Sequence, residues 1–191
     1  RINTLIRGFS GITLGTLSRL LHYLNLGIHP VIPCQGSVGA SGDLCPLSHM
    51  AITLLGLGEV TFKGRRMPTM EALQMEGLEP IALHPKEGIA LNNGTQALTA
   101  VGALALADAL SLAKTADVAA ALSLEALHGV PYAFDARTHE LRPHVGQRLV
   151  ASNMRRLIEG SEIVEKYRHQ RVQDAYSLRC VPQVHGASRD A

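Results

Sequence analysis

Leucines at positions 14, 17, 21 and 24 recur at spacings of three and four through TLGTLSRLLHYLNL, residues 13–26. That period predicts an amphipathic helix, stopped by Gly27 and Pro30. After the extended IHPVIPCQ, a second helix is predicted from Pro46, in its first turn, to Leu55, with Gly56 and Gly58 ending it. Residues 59–67, EVTFKGRRM, carry the clear strand signal of the chain, a short hairpin turning at Lys63-Gly64. A polar helix from Thr69 to Glu76 and a loop through Pro80 and Pro85 lead to KEGIALNNGTQ. Two alanine-rich helices are expected next, 96–113 and 116–128, whose small side chains let helix axes approach closely and which read as bundle interior. GVPYAFDARTHELRPHVG is expected to be an irregular link, and a helix from Gln147 to Ile158 is closed by Gly160. The predicted class is all-α: a long-helix bundle with one small β-hairpin and a glycine-rich loop.

Composition narrows the setting. The chain has 191 residues, enough for one domain with a real core; it opens at Arg1, closes on ASRDA, and is expected to be an internal piece of a longer protein. Aromatic residues make up 4% and Trp is absent, so the core must be aliphatic and alanine-rich. A formal charge of +2 from scattered basic residues leaves no electrostatic footprint for nucleic acid. Cys34, Cys45 and Cys180 are odd in number and lack CxxC spacing, which argues against a disulfide framework and a zinc site. A reducing, cytoplasmic setting is expected. His139 and His144 flank Pro143, and His22, His29, His49 and His185 show no ligand pairing, so structural or surface roles are expected for most histidines and no metal site. The longest apolar run, residues 97–113, holds Asp108 and is dominated by Ala, which predicts a buried soluble helix and not a membrane span.

The chemistry concentrates in GSVGASGDLCPLSHMA, residues 36–51. It lacks the GxxxxGK[ST] and GxGxxG patterns of phosphate loops. It also misses the GxSxG nucleophile elbow, because Asp43 stands where the last glycine should be. A tight turn feeding the following helix accounts for Gly36 and Gly39 but not for the tripeptide Ala40-Ser41-Gly42. If the backbone bends sharply enough, the nitrogen of Gly42 can attack the carbonyl carbon of Ala40. A residue without Cβ tolerates that bend at low cost. Cyclisation with loss of two waters yields a methylidene-imidazolone, an electrophile that no ordinary side chain supplies.

This stretch resembles the signature of the aromatic amino acid ammonia-lyase family, whose Ala-Ser-Gly forms this group. LIRGFSGI at 5–12, KEGIALNNGTQ at 86–96, FDARTHELRPHVGQ at 134–147 and RVQDAYSLRCVPQVHGAS at 171–188 extend the resemblance, in order, over nearly the whole chain. It implies that residues 1–191 are part of an ammonia-lyase catalytic domain with an internally formed prosthetic group and no external cofactor. It also implies an amino acid substrate, a homotetramer whose active sites draw on more than one chain, and no membrane or nucleic-acid partner.

The same resemblance assigns roles. Ala40, Ser41 and Gly42 would form the electrophile, which the substrate attacks through its α-amino group before ammonia leaves. Asp43 would assist cyclisation or hold the loop, its ordinary alternative being a helix cap. Asn93 would hydrogen-bond the ring oxygen or the substrate carboxylate, whereas its neighbour Asn92 stands where the family has an apolar residue. Gln173, Tyr176 and Arg179 recur every three residues and would line one face if the segment is helical. Arg179 would hold the substrate carboxylate with its planar fork, and Tyr176 and Gln173 would hydrogen-bond around the electrophile. The family's general-base tyrosine and its selectivity residues would lie upstream of Arg1, with further pocket residues beyond Ala191. His185 and VHGAS, together with QDAYSLRC, resemble the histidine-acting members more than the phenylalanine- or tyrosine-acting lyases and aminomutases. A helical assembly module without catalysis is the alternative of a different class, and it predicts no prosthetic group.

Overall fold

Thr13 ends an extended approach, and its side-chain oxygen accepts the Thr16 N–H at 3.3 Å, capping a helix. In the computed structural model, which describes residues 1–39, 42 and 44–191, the chain divides into two compact units, Arg1–Ala103 and Leu104–Ala191. The first unit opens with α1 (Ile2–Leu5), α2 (Leu14–Leu26) and a short strand β1 (His29–Pro30). It continues through α3 (Leu44–Leu54), β2 (Glu59–Phe62), β3 (Arg65–Pro68), α4 (Thr69–Met75) and α5 (Glu87–Asn92).

α2 ends where the glycine signal placed it, with Gly27 left-handed at φ 71°. Its buried face is not the leucine stripe, however. Thr16, Leu20 and Tyr23 are buried, whereas Leu14, Leu21 and Leu24 are exposed and Leu17 packs at the margin. The helix is apolar on more than one side, and Tyr23 decides the orientation: its hydroxyl donates to the Thr53 carbonyl at 2.6 Å inside the core.

The hairpin turns at Lys63 and Gly64, both at positive φ (48° and 74°), in the conformation a tight two-residue connection requires. Val60 opposes Met67 and Phe62 opposes Arg65, so Val60, Phe62 and Met67 face the core. The expected two-stranded hairpin gains a third member: β1 pairs antiparallel with β2, Pro30 against Val60. A two-residue strand has no period to read, so the pattern showed only extended chain there. Leu5, Leu54, Leu73 and Leu91 complete this core.

α6 runs unbroken over Gln96–Ala126, in place of the two helices expected at 96–113 and 116–128. Lys114 and Thr115 interrupt the apolar run but not the helix. Neither residue breaks the backbone ladder, and Thr115 donates its hydroxyl back to the Ser111 carbonyl at 3.1 Å. The stretch Glu87–Ala126 contains an 18-residue window of mean hydropathy 1.5, long and apolar enough to cross a membrane, and none of that window is buried within this chain. The expected burial is therefore not supplied by residues 1–191; Leu104, for one, is 71% exposed.

In the second unit, His128 at φ 52° closes the turn after α6, and its ring stacks on Tyr167 at 3.8 Å. The link expected to be irregular contains a 3-10 turn, Pro131–Phe134, and α7 (Ala136–Glu140), capped by the Asp135 carboxylate accepting the Arg137 N–H at 2.9 Å. α8 (Val145–Leu157), α9 (Glu162–Tyr167), α10 (Tyr176–Arg179) and α11 (Val181–Asp190) follow. Leu124, Phe134, Val150, Met154, Val164 and Leu178 form the second core. α8 and α11 touch through their backbones: a Cβ on Gly146 would collide with the Gly186 carbonyl, and one on Gly186 with the backbone of Gly146 and Gln147. Asp190 fixes the crossing by accepting the Gly146 N–H at 2.7 Å.

Candidate active site

Gly42 carries the predicted site into the first unit. Its φ of 136° lies in the region that favours glycine, and a Cβ there would sit 2.5 Å from Asn93 Oδ1 and 3.0 Å from the Gly94 nitrogen. Two sequence-predicted residues fifty-one positions apart are thus in contact. Ala40, Ser41 and Asp43 lie outside the described residues.

Asn93 ends α5 with extended backbone (φ −97°, ψ 103°), its N–H donating to Ile89 O at 3.0 Å. The turn it begins is braced from outside. Arg1 donates to the Ala90 carbonyl from Nε at 3.1 Å and Nη2 at 2.5 Å, and to Gln96 Oε1 from Nη1 at 2.6 Å. Gln96 Nε2 in turn donates to Thr4 Oγ1 at 3.1 Å. Asn92 donates Nδ2 to Ser48 Oγ at 3.0 Å, tying α5 to α3, while its buried Oδ1 has no hydrogen-bond partner among the described residues.

At the other end of α5 stands a residue that sequence reasoning missed. Glu87 is fully buried and accepts three hydrogen bonds: Thr13 N–H at 2.8 Å, Thr13 O–H at 2.8 Å and His84 N–H at 2.7 Å. Burial alone would raise its pKa, but the donors from His84 and Thr13 outweigh it and bring the carboxyl down to about 2. Glu87 thereby locks the start of α5 to the cap of α2. The signal available was a lone acid, flanked by Lys86 and Gly88, at the start of an otherwise apolar segment.

The second unit holds the other predicted group. Only Tyr176 and Arg179 are helical; Gln173 precedes α10 in irregular backbone, so a shared helical face does not unite the three. They meet nonetheless: Arg179 donates Nη1 to Gln173 Oε1 at 2.5 Å, and its guanidinium lies 4.3 Å from the Tyr176 ring centroid. Tyr176 is exposed, so these groups present donors at the surface of this chain. Gln173 and Arg179 line a cleft of about 180 Å³ with Asp174, Val130 and Tyr132. A larger cleft, about 720 Å³ among Tyr132, Arg137, Arg155 and Arg168, contains none of the predicted site residues.

A buried polar hub in the same unit also escaped sequence reasoning. Asp117, 1% exposed in the middle of α6, accepts from His185 Nδ1 at 2.9 Å, Asn153 Nδ2 at 2.9 Å and Arg189 Nη2 at 2.7 Å. It fastens α8 and α11 to α6. His185 is therefore structural, as is buried His139, whose Nε2 donates to Ala133 O at 2.9 Å while Nδ1 accepts from Gln147 at 2.9 Å. Among the described residues no three His, Cys, Asp or Glu side chains converge as metal ligands.

The chain matches the family model "Aromatic amino acid lyase" over residues 1–191, and it belongs to that family. It is 56% identical over all 191 of its residues to a histidine ammonia-lyase of Alkaliphilus oremlandii, and spans 38% of that relative's length. Among solved structures, tyrosine aminomutase from Streptomyces globisporus superposes with a TM-score of 0.85 at 42% identity, over 99% of this chain and 39% of that one. Ergothionase from Treponema denticola, in complex with desmethyl-ergothioneine sulfonic acid, superposes with a TM-score of 0.91 at 31% identity, over 99% and 38% respectively. The helical ammonia-lyase fold expected from the sequence is the fold observed.

Proposed function

We propose that residues 1–191 form part of a histidine ammonia-lyase, which eliminates ammonia from L-histidine to give urocanate. The observation that carries this reading is 56% identity, along the entire chain, to a protein of that name. The tyrosine aminomutase likeness, at 42%, supports a second reading in which the same site shifts the amino group instead of releasing it.

The residues present fit a methylidene-imidazolone at Ala40-Ser41-Gly42. Gly42 occupies a cradle that a Cβ would overfill, and the Asn93 side chain lies against it. When formed, that group supplies the electrophile for the substrate's amino group. Asn93 offers its amide to the ring oxygen or to the substrate, while Arg1 and Gln96 hold the turn that aims it. Arg179 binds the substrate carboxylate, with Gln173 and Tyr176 restricting its guanidinium. Asp43 supports cyclisation. The proton-abstracting base and the selectivity residues belong to the rest of the protein.

The exposed apolar length of α6 supports self-association, read here as the homotetramer, with other parts of the assembly covering it in place of lipid. A cytoplasmic location and the absence of a nucleic-acid partner complete the reading.

Ser41→Ala in the full-length enzyme tests the proposal, because only Ser41 can lose the water that creates the methylidene carbon. Expected are an intact mass lower by two waters in the wild type, no such deficit in the variant, and loss of urocanate formation with helicity unchanged. An unmodified wild-type mass would point to the assembly module. A β-amino acid product from the wild type would point to the aminomutase.

A further inference from the structure

Gln173 sits in backbone that no helix or sheet ladder holds, yet it meets Arg179 at 2.5 Å. Its neighbour explains how. The Asp174 side chain is 1% exposed, and its Oδ2 accepts the Val130 N–H at 2.7 Å, stitching the segment before α10 to the chain just after α6. Space there is tight: a Cβ on Gly129 would lie 3.0 Å from Asp174 Oδ2. The other oxygen, Oδ1, is buried and has no hydrogen-bond partner among the described residues, with Arg171 Nη1 at 3.6 Å. A carboxylate buried on so few partners is costly to keep. Arg171 Nη2 also donates, at the exposed edge, to the Leu127 and His128 carbonyls at 3.3 and 3.4 Å, so the bond to Val130 is the short, buried tie of residues 171–175 to the chain after α6.

We propose that Asp174 is a positioning residue for the carboxylate-binding arginine: it pins the segment through Val130, which places Gln173, which in turn orients Arg179. Asp174 itself does not touch the substrate. This rests on the reading of Arg179 as the carboxylate anchor. The consequence is specific to binding, since an untethered Arg179 samples rotamers that miss the carboxylate.

The test uses the full-length enzyme and whichever amino acid the wild type turns over. Asp174→Ala is expected to raise KM at least tenfold with kcat reduced less than threefold. Asp174→Asn, which keeps an oxygen for Val130, is expected to stay within threefold of wild-type KM. In the Arg179→Ala background, Asp174→Ala should add less than a twofold further loss in kcat/KM, because it acts through that arginine. Three results overturn the proposal: unchanged KM in Asp174→Ala, full additivity with Arg179→Ala, or a KM rise in Asp174→Asn as large as in Arg179→Ala. The last would place the charge itself on the substrate. Hydrogen exchange of residues 171–180 reads the pinning without turnover. Asp174→Ala should accelerate it at least tenfold, and equal exchange in both proteins refutes the anchor even if the enzyme acts on no tested amino acid. Failure of Arg179→Ala to alter KM, with faster exchange in Asp174→Ala, instead identifies the functional reading of Arg179 as the error.

Discussion

Asn93 Oδ1 occupies the space that a side chain on residue 42 would need, 2.5 Å from where its Cβ would be. The glycine of the tripeptide proposed to form the ring is therefore constrained twice, by its φ of 136° and by the amide packed against it.

Gly42→Ala should consequently prevent ring formation even though Ser41 is retained. A methyl group at this position meets Asn93 and the Gly94 backbone, and the backbone conformation is strained for any L side chain. Intact mass of the purified full-length variant should show no loss of two waters, and turnover should fall at least a thousandfold. A normal mass deficit would mean that the loop moves freely away from Asn93.

Arg179→Ala should lower kcat/KM for the amino acid about 10- to 100-fold, equivalent to about 1.4–2.8 kcal/mol. Arg179→Lys should recover little, because an ammonium cannot make the forked contact while holding Gln173. Steady-state kinetics decide, and a lysine variant with wild-type constants would show that charge alone suffices.

Glu87 should make stability depend on acid pH. Its carboxyl is depressed from an ordinary 4.5 to about 2, so the stabilisation is complete above pH 4.5 and is lost as pH falls from there through 2. The shift corresponds to roughly 3 kcal/mol per chain. Urea unfolding of the wild type and Glu87→Gln between pH 6 and pH 3 should show the gap narrowing as pH drops; a constant gap contradicts the assignment.

Asp117→Ala should cost about 3–5 kcal/mol, since it takes the acceptor from His185 and Asn153 and leaves the largely buried Arg189 charge bonded to the Ala113 carbonyl without its carboxylate. The same denaturation experiment at pH 7 measures it. A loss below about 1 kcal/mol would mean that the three donors find other partners.

Much of this was legible beforehand, and the misses share a cause. The cap at Thr13, the stop at Gly27 and the turn at Lys63-Gly64 are local chemistry, read from adjacent residues. The Ala40-Ser41-Gly42 reading also rests on adjacent residues, and of the three the structure describes Gly42. Burial of the Leu14 face failed because Tyr23, thirty residues from Thr53, sets which side of α2 turns inward. Asp117 and Glu87 looked like lone acids because, apart from the His84 N–H next to Glu87, their partners lie 36 to 74 positions away, on segments whose approach no periodicity encodes. The length of α6 was underestimated by treating Lys114-Thr115 as a boundary, although a polar pair without Gly or Pro leaves the backbone ladder whole.

The backbone crossing of Gly146 and Gly186 acts as a mechanical stop. Most helix pairs keep a cushion of side chains that can repack when one residue changes; here two main chains bear directly on each other, with nothing between them to yield. The spacing of α8 and α11 is thus set to the width of bare peptide. Only Cys180 separates α11 from α10, so the crossing lies on the helix that directly follows the one carrying Arg179. The two hydrogens on those glycines are, in effect, the gauge that fixes how closely the two helices lie.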